Sequence, residues 1–165
     1  MAIKKPISAL IFDWGDTIMK DFGCPGPMYQ WEKVDWIPRA EAALKILSQQ
    51  YTCIIATSAD YSGTTEMKAA LRRIDADKYF HYFFSSIDLG YKKPDPRFFL
   101  AITRELGLDP AMTVMIGNNY SKDIVGAKEA GLQTVFYDIS HLPGNNPAAD
   151  VIVHDMYDLI KIIPS

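Results

Sequence analysis

The sequence holds only two cysteines, Cys24 and Cys53. That is too few for the disulfide framework that staples a small secreted domain. Cys53 lies inside an apolar run and reads as a small core residue, whereas Cys24 sits among prolines and glycines and reads as an exposed free thiol. Positive charge is not in excess: 17 Lys and Arg stand against 20 Asp and Glu, a net charge of −3. That balance points to neither nucleic acid nor an anionic membrane surface as a partner. No stretch approaches the roughly 20 apolar residues of a membrane span. The first apolar stretch ends at Asp13, too short for the core of a secretory signal plus its cleavage site. Internal repeats and low-complexity tracts are absent as well. The expectation is a soluble, cytoplasmic chain whose 165 residues form one domain over residues 1–165 with one sizeable core.

What is present is a series of near-continuous apolar runs. Ile7–Asp13, Thr52–Thr57, Thr113–Gly117, Gln133–Tyr137 and Val151–Val153 each read as a strand covered on both faces. Tyr82–Phe84 reads as a short edge strand. Helical patterns lie between them. Pro38 opens one that carries Ala42, Ala43, Leu44, Ile46 and Leu47, and Met67, Ala70, Leu71 and Ile74 form the buried face of another. Asp95-Pro96 is a cap followed by proline at the first helical position, and Gly107 stops that helix. Further helices are expected from about Ser121 to Ala130 and from about Asp155 to Ile163. Strands alternating with helices predict an α/β fold, an open and mostly parallel sheet with helices on both sides. Phe22 to Trp36 resists this reading, with four large aromatics, glycine and proline but no period. A connection of that length inside a compact domain is often functional.

Open α/β sheets bind ligands beyond the C-terminal ends of their strands. The residues expected there are Asp13-Trp-Gly-Asp-Thr17, then Thr57, Ser58 and Asp60, then Lys92-Lys93-Pro94-Asp95, then Gly117 to Asp123. A strand-end carboxylate can be a nucleophile or a hard-cation ligand. Hydroxyls can hold phosphate oxygens, and a lysine stabilises a crowded anion. A second carboxylate across the sheet can complete a magnesium site. Singly, each has a plainer use: Asp13 as a turn residue, Thr57 as a cap, Lys93 as a solvated charge, Gly117-Asn118-Asn119 as a turn. The functional reading rests on all four standing in order along one rim.

At these residues the sequence resembles the haloacid dehalogenase superfamily, most of whose members are magnesium-dependent phosphatases. The first motif of that family, Asp-x-Asp-x-Thr after an apolar strand, is matched by Asp13-Trp-Gly-Asp-Thr17. The second, a strand ending in Thr or Ser, is matched by Ile54-Ile-Ala-Thr57, and the third by Lys93-Pro-Asp-Pro96. The fourth is matched by Ile116-Gly-Asn-Asn-Tyr-Ser-Lys-Asp123, with Gly126-Ala127 and Ala130-Gly131 following. The resemblance spans about Leu10 to Val153. It implies a three-layer α/β/α Rossmann-like fold. It also implies Asp13 as the nucleophile that forms an aspartyl-phosphate, Thr57 with Ser58 as phosphate ligands, and Lys93 as the neutralising cation. Asp13, the carbonyl of Gly15, Asn118 and Asp123 are the implied Mg2+ ligands.

Two positions depart from the family pattern. Gly15 stands where the family has its general acid/base, with Asp16 one residue later as the substitute candidate. A lost general acid lowers the rate by about 10²–10⁴-fold. Asn118 replaces an acid of the fourth motif, so weaker magnesium binding is expected. The spacing between motifs leaves room for a flap and loop over residues 18–37 but not for a separate cap domain. Capless members commonly act on large substrates or borrow closure from a partner subunit. Tyr29, Trp31 and Trp36 read as packing over the sheet, with substrate contact as their other use. The expected activity is hydrolysis of a phosphorylated substrate, small or macromolecular. The competing expectation is a catalytically impaired binding or regulatory protein, motivated by Gly15 and Asn118.

Overall fold

Each apolar run is explained by two buried faces. In the computed structural model, which describes residues 2–141 and 143–163, strand β1 (Ala9–Phe12) is wholly buried. Its alternate side chains go to opposite sides: Leu10 and Phe12 join one core cluster, Ala9 and Ile11 the other. β2 (Thr52–Thr57), β3 (Tyr82–Ser85), β4 (Thr113–Gly117), β5 (Gln133–Tyr137) and β6 (Val151–Val153) complete one sheet in the order β3-β2-β1-β4-β5-β6. Every neighbouring pair is parallel, so the sheet is wholly rather than mostly parallel.

Helices α1 (Ala40–Gln50), α2 (Thr64–Arg72) and α6 (Leu159–Ile162) supply Leu44, Leu47, Met67, Leu71 and Leu159 to the first cluster. α4 (Pro96–Leu106) covers the opposite face with Phe98, Phe99 and Ile102, beside α5 (Gly126–Glu129) with Ala127; α3 (Ser86–Leu89) is a single turn after β3. Burying a phenylalanine of this kind stabilises the fold by about 2–3 kcal/mol. Three layers result, as the sequence pattern predicts. Among the described residues no helix is long and apolar enough to cross a membrane.

The differences lie at element ends. Pro38 does not open α1. It forms a turn with Arg39, which sits at φ 65°, and the helix starts at Ala40. α2 ends at Arg72, so Ile74 packs from the following turn rather than from the helix. The expected terminal helix is a 3₁₀ turn, Met156–Asp158, continuing into the short α6. The expected helix from Ser121 begins instead as a π-helical segment, Tyr120–Val125. Single π turns are rare and collect at functional sites. Here the widened turn carries Asp123, which is buried. The α4 boundaries are as the sequence indicates: Asp95 accepts from Arg97 N–H at 2.9 Å, and Gly107 ends the helix at φ 66°.

From β1 the chain steps outward through β2 to β3, and from β4 outward the other way to β6. The order reverses between β1 and β4, and the crevice at such a switch point is where an open sheet binds ligands.

Candidate active site

Asp13 follows the last residue of β1, and Asn118 follows the last residue of the neighbouring β4. Their backbones are locked in register, since Asp13 N–H donates to the Ile116 carbonyl at 2.9 Å. Lys93 reaches the same point from the loop before α4. Its ammonium donates to Asp13 Oδ1 at 2.8 Å and to Asp123 Oδ1 at 2.9 Å, and its side chain is only 2% exposed. Burial alone would drive the lysine pKa down, but the charges of Asp123 and Asp13 outweigh it and raise the pKa above the usual value. The lysine is therefore a fixed cation. Asp123 moves the other way. Burial first, then the negative charge of Asp13, push its carboxyl up to about 6, against the pull of Lys93.

Two glycines make this approach possible. A Cβ on Gly117 would overlap the Asp123 carboxylate. One on Gly126 would overlap the Pro94 carbonyl oxygen and press on the Phe99 ring, driving α5 away from the loop that carries Lys93. The second Asp123 oxygen, Oδ2, accepts the Asn119 N–H at 3.0 Å. Ser58 Oγ accepts the Lys93 N–H at 3.0 Å, so Ser58 fixes the lysine loop. Thr57 Oγ1 accepts the Ala59 N–H at 3.0 Å, which leaves its own O–H to be donated.

Above these groups lies an open cavity of about 620 Å³. Asp13, Gly15, Asp16, Thr57, Ser58, Lys93, Asn118 and Asp123, the residues singled out from sequence, all line it. Asp16 is set apart by its backbone, at φ 59°, and Oδ1 accepts the Asp21 N–H at 2.9 Å. Asp and Asn tolerate this left-handed conformation better than other side chains. Burial raises the Asp16 pKa, and the charges of Asp21 and Asp13 add to it. Together with Asn118, Asp16 also borders a second cavity of about 370 Å³ that reaches Tyr137 and Asp138.

The aromatic segment forms the outer wall. Trp31 lines the cavity, and its indole N–H donates to the Gly26 carbonyl at 3.1 Å. Arg73, just beyond α2, donates to the carbonyls of Tyr29, Trp31 and Glu32. Trp36 does not line this cavity but borders the second one, donating to the Ile74 carbonyl at 3.2 Å and meeting Tyr79 edge-on. Packing thus accounts for Tyr29, while Trp31 packs and faces the first cavity and Trp36 packs and borders the second. Sequence reasoning misses Arg73, because a lysine or arginine at a helix end carries no mark of its partner. Lys92 and Asp60 pair across the rim at 2.9 Å.

Among the described residues no three His, Cys, Asp or Glu side chains converge as metal ligands. The candidate set is oxygen-rich in another way. One end of the Asn118 amide stands 2.8 Å from Asp13 Oδ2 and 3.2 Å from the Gly15 carbonyl oxygen. A magnesium ion holding oxygens at about 2.1 Å sets neighbouring octahedral ligands about 3.0 Å apart. With the amide oxygen inward, both of these separations match those between neighbouring ligands of one hard cation. Asp123 stands behind them, joined to Asp13 through Lys93.

The model of the haloacid dehalogenase-like hydrolases matches residues 29–131. A glyceraldehyde 3-phosphate phosphatase of Methanopyrus kandleri is 38% identical over 65 residues, which are 39% of this chain and 28% of that enzyme. The chain spans less than half the length of the curated relatives it matches. Among solved structures, a protein of Listeria monocytogenes superposes with a TM-score of 0.82 at 23% identity, covering 95% of this chain and 97% of the other. A phosphatase of the same family from Thermococcus onnurineus gives 0.80 at 21% identity, covering 95% and 98%. At those identities the two superpositions establish the fold.

Proposed function

The chain belongs to the haloacid dehalogenase-like hydrolase family, and from that premise we propose that it hydrolyses phosphate monoesters with magnesium, through an aspartyl-phosphate on Asp13. The observation that carries the reading is the Asp13 carboxylate at the cavity floor, paired with a buried Lys93 at 2.8 Å, with Thr57 lining the same cavity. Named phosphatases among the relatives support the reaction class.

Asp13 Oδ2 is turned toward Thr17 and Asn118, which leaves Oδ1, on the Lys93 side, as the attacking atom. Oδ1 forms a bond to phosphorus as the bond from phosphorus to the leaving oxygen breaks. Lys93 and the Thr57 hydroxyl stabilise the charge that spreads over the phosphoryl oxygens. Water then attacks phosphorus as the Oδ1–phosphorus bond breaks, giving a proton to the Asp16 carboxylate left by the first step, and phosphate leaves with Asp13 restored. Asp13 Oδ2, the Gly15 carbonyl, Asn118 and Asp123 would hold Mg2+, which when bound supplies further positive charge against those oxygens. Asp16 is the proton donor to the leaving group. Its raised pKa keeps it protonated to higher pH than an ordinary carboxyl. The leaving group lies along Cys24 to Trp31, and the open mouth admits a bulky substrate or is closed by a partner.

The test is turnover of p-nitrophenyl phosphate and of an alkyl phosphate with Mg2+. Asp13→Asn abolishes both while the circular dichroism spectrum is retained; activity left in that variant would sink the nucleophile. Asp16→Asn lowers alkyl phosphate turnover by about 10²–10⁴-fold and the activated ester far less, because its leaving group scarcely needs a proton. A second reading follows from Gly15 and Asn118, that of a phosphate-binding regulatory protein. No turnover across a broad ester panel, with phosphate still binding, would favour it.

A further inference from the structure

One end of the Asn118 amide touches three oxygens at once: Asp13 Oδ2 at 2.8 Å, Gly15 O at 3.2 Å and Thr17 Oγ1 at 3.2 Å. The carboxylate and the carbonyl can only accept hydrogen bonds. An amide nitrogen in that place donates to them. An amide oxygen there faces two acceptors with no proton between, an arrangement that either a cation or a half-turn of the amide would relieve. The two ends are nearly equal in size and exchange by a half-turn about the last side-chain bond, a torsion with a broad, roughly two-fold profile.

Thr17 is placed to follow that turn. Its hydroxyl has one proton and stands 3.1 Å from Asp13 Oδ2 and 3.2 Å from the same end of the Asn118 amide. With the nitrogen inward, its two protons go to Asp13 and Gly15, and Thr17 gives its own proton to Asp13. With the oxygen inward, Thr17 gives its proton to Asn118 and leaves Asp13 Oδ2 free to bind a cation. Thr17 is fully buried, so water does not compete for either bond.

We propose that Asn118 is a two-position switch of the cation site. Its nitrogen bridges Asp13 and Gly15 in the absence of a divalent cation, and its oxygen turns inward as a ligand when the cation enters. The proposal rests on the reading that this site takes magnesium. Its consequence is specific to the asparagine. An aspartate at this position would set a second negative charge against Asp13, repelling it until a cation arrives. Asn118 instead holds Asp13 and Gly15 in place beforehand, and the entering cation must displace those two hydrogen bonds.

The experiment follows the Asn118 side-chain NH2 by 15N NMR during Mg2+ titration of the whole chain without substrate, with Asn118→Asp assigning the signal. Binding is measured separately by calorimetry. Saturating Mg2+ should move the two amide proton resonances and speed their exchange with water at least about tenfold, as two protected hydrogen bonds open. Asn118→Asp should bind Mg2+ about 10–100-fold more tightly and unfold at lower temperature than the parent in EDTA. Calorimetric binding with an unmoved, still protected amide overturns the switch and leaves the hydrolase reading standing. No tightening in a folded Asn118→Asp also overturns it. No Mg2+ binding by the parent chain overturns the cation site and the switch together. Should Asn118→Asp fail to fold in EDTA, the parent titration decides, with the amide assigned from Asn118→Gln.

Discussion

The inner and outer walls of the cavity are built by different means. The inner wall places Asp13, Thr57 and Asn118 at strand ends, and interlocks Asp13 with Asp123 through a lysine that solvent scarcely reaches. The outer wall, Gly23 to Trp31, has a single 3₁₀ turn, Met28–Gln30, and hangs on the bonds Arg73 makes to its carbonyls. Groups that must hold sub-ångström geometry stand on the rigid sheet. The part that meets the variable half of a substrate is loop, which can change without disturbing the sheet.

The sharpest way to break the inner wall is Lys93→Met. It leaves the buried Asp123 and the half-buried Asp13 around an apolar side chain, and removing one partner from a buried pair destabilises by about 3–5 kcal/mol. The pH dependence should change with it. In the parent, Asp123 titrates at about 6 folded, against an ordinary value of 3.8. Between about pH 4 and 6 the folded state therefore holds a proton that the unfolded state lacks, so in EDTA this group's contribution to stability falls as pH rises through that window. Without the lysine charge, the fall should extend to higher pH. Urea denaturation at several pH values checks both statements. A variant as stable as the parent would show that the Lys93 contacts contribute little.

How far the two walls are legible in the sequence follows from the same contrast. Strand ends are marked by the stop of an apolar run, so the residues alone place Asp13, Thr57 and Gly117 on one rim. Lys93 can be placed as well, because a cap and proline follow it directly. The aromatic segment has no period, and its anchor is an arginine some forty residues away, with no signal in either sequence neighbourhood. The π turn is hidden too, since one extra residue in a helix leaves the apolar pattern nearly intact. Asp16 is visible as an acid, but its φ of 59° and its bond to Asp21 depend on the flap that folds over it.

A milder change tests whether packing behind the inner wall matters as much as its charges. Gly126→Ala alters no charge and favours the helix intrinsically, yet its methyl group meets the Pro94 carbonyl oxygen and the Phe99 ring. Overpacking of this kind destabilises by about 1–3 kcal/mol. Moving the Pro94 loop also withdraws Lys93, so turnover should fall more than stability alone explains. Differential scanning calorimetry together with kcat for p-nitrophenyl phosphate separates the two. An alanine variant with parental kcat and stability would mean that the loop yields freely and that Lys93 does not depend on it.

The smallest structural effect is expected on the outer wall, where the two cysteines report directly. Cys24 is exposed and lines the cavity, whereas Cys53 is buried in β2 with its thiol pushed up to about 12 by burial. Only the thiolate reacts with an alkylating reagent. At pH 8 a thiol of that pKa is ionised to about one part in 10⁴, and the folded core blocks access besides. Iodoacetamide should therefore modify one equivalent of thiol quickly, at Cys24, and the second only as the chain unfolds in urea. A bulky maleimide on Cys24 should leave the melting temperature within about 2 °C of the parent, as expected for a surface change. It should also lower turnover of large phosphate esters more than that of small ones, because the outer wall is narrowed while Asp13 and Lys93 stay in place. Equal labelling of both cysteines in the folded protein would break the contrast, since the inner sheet would then be as open as the loop.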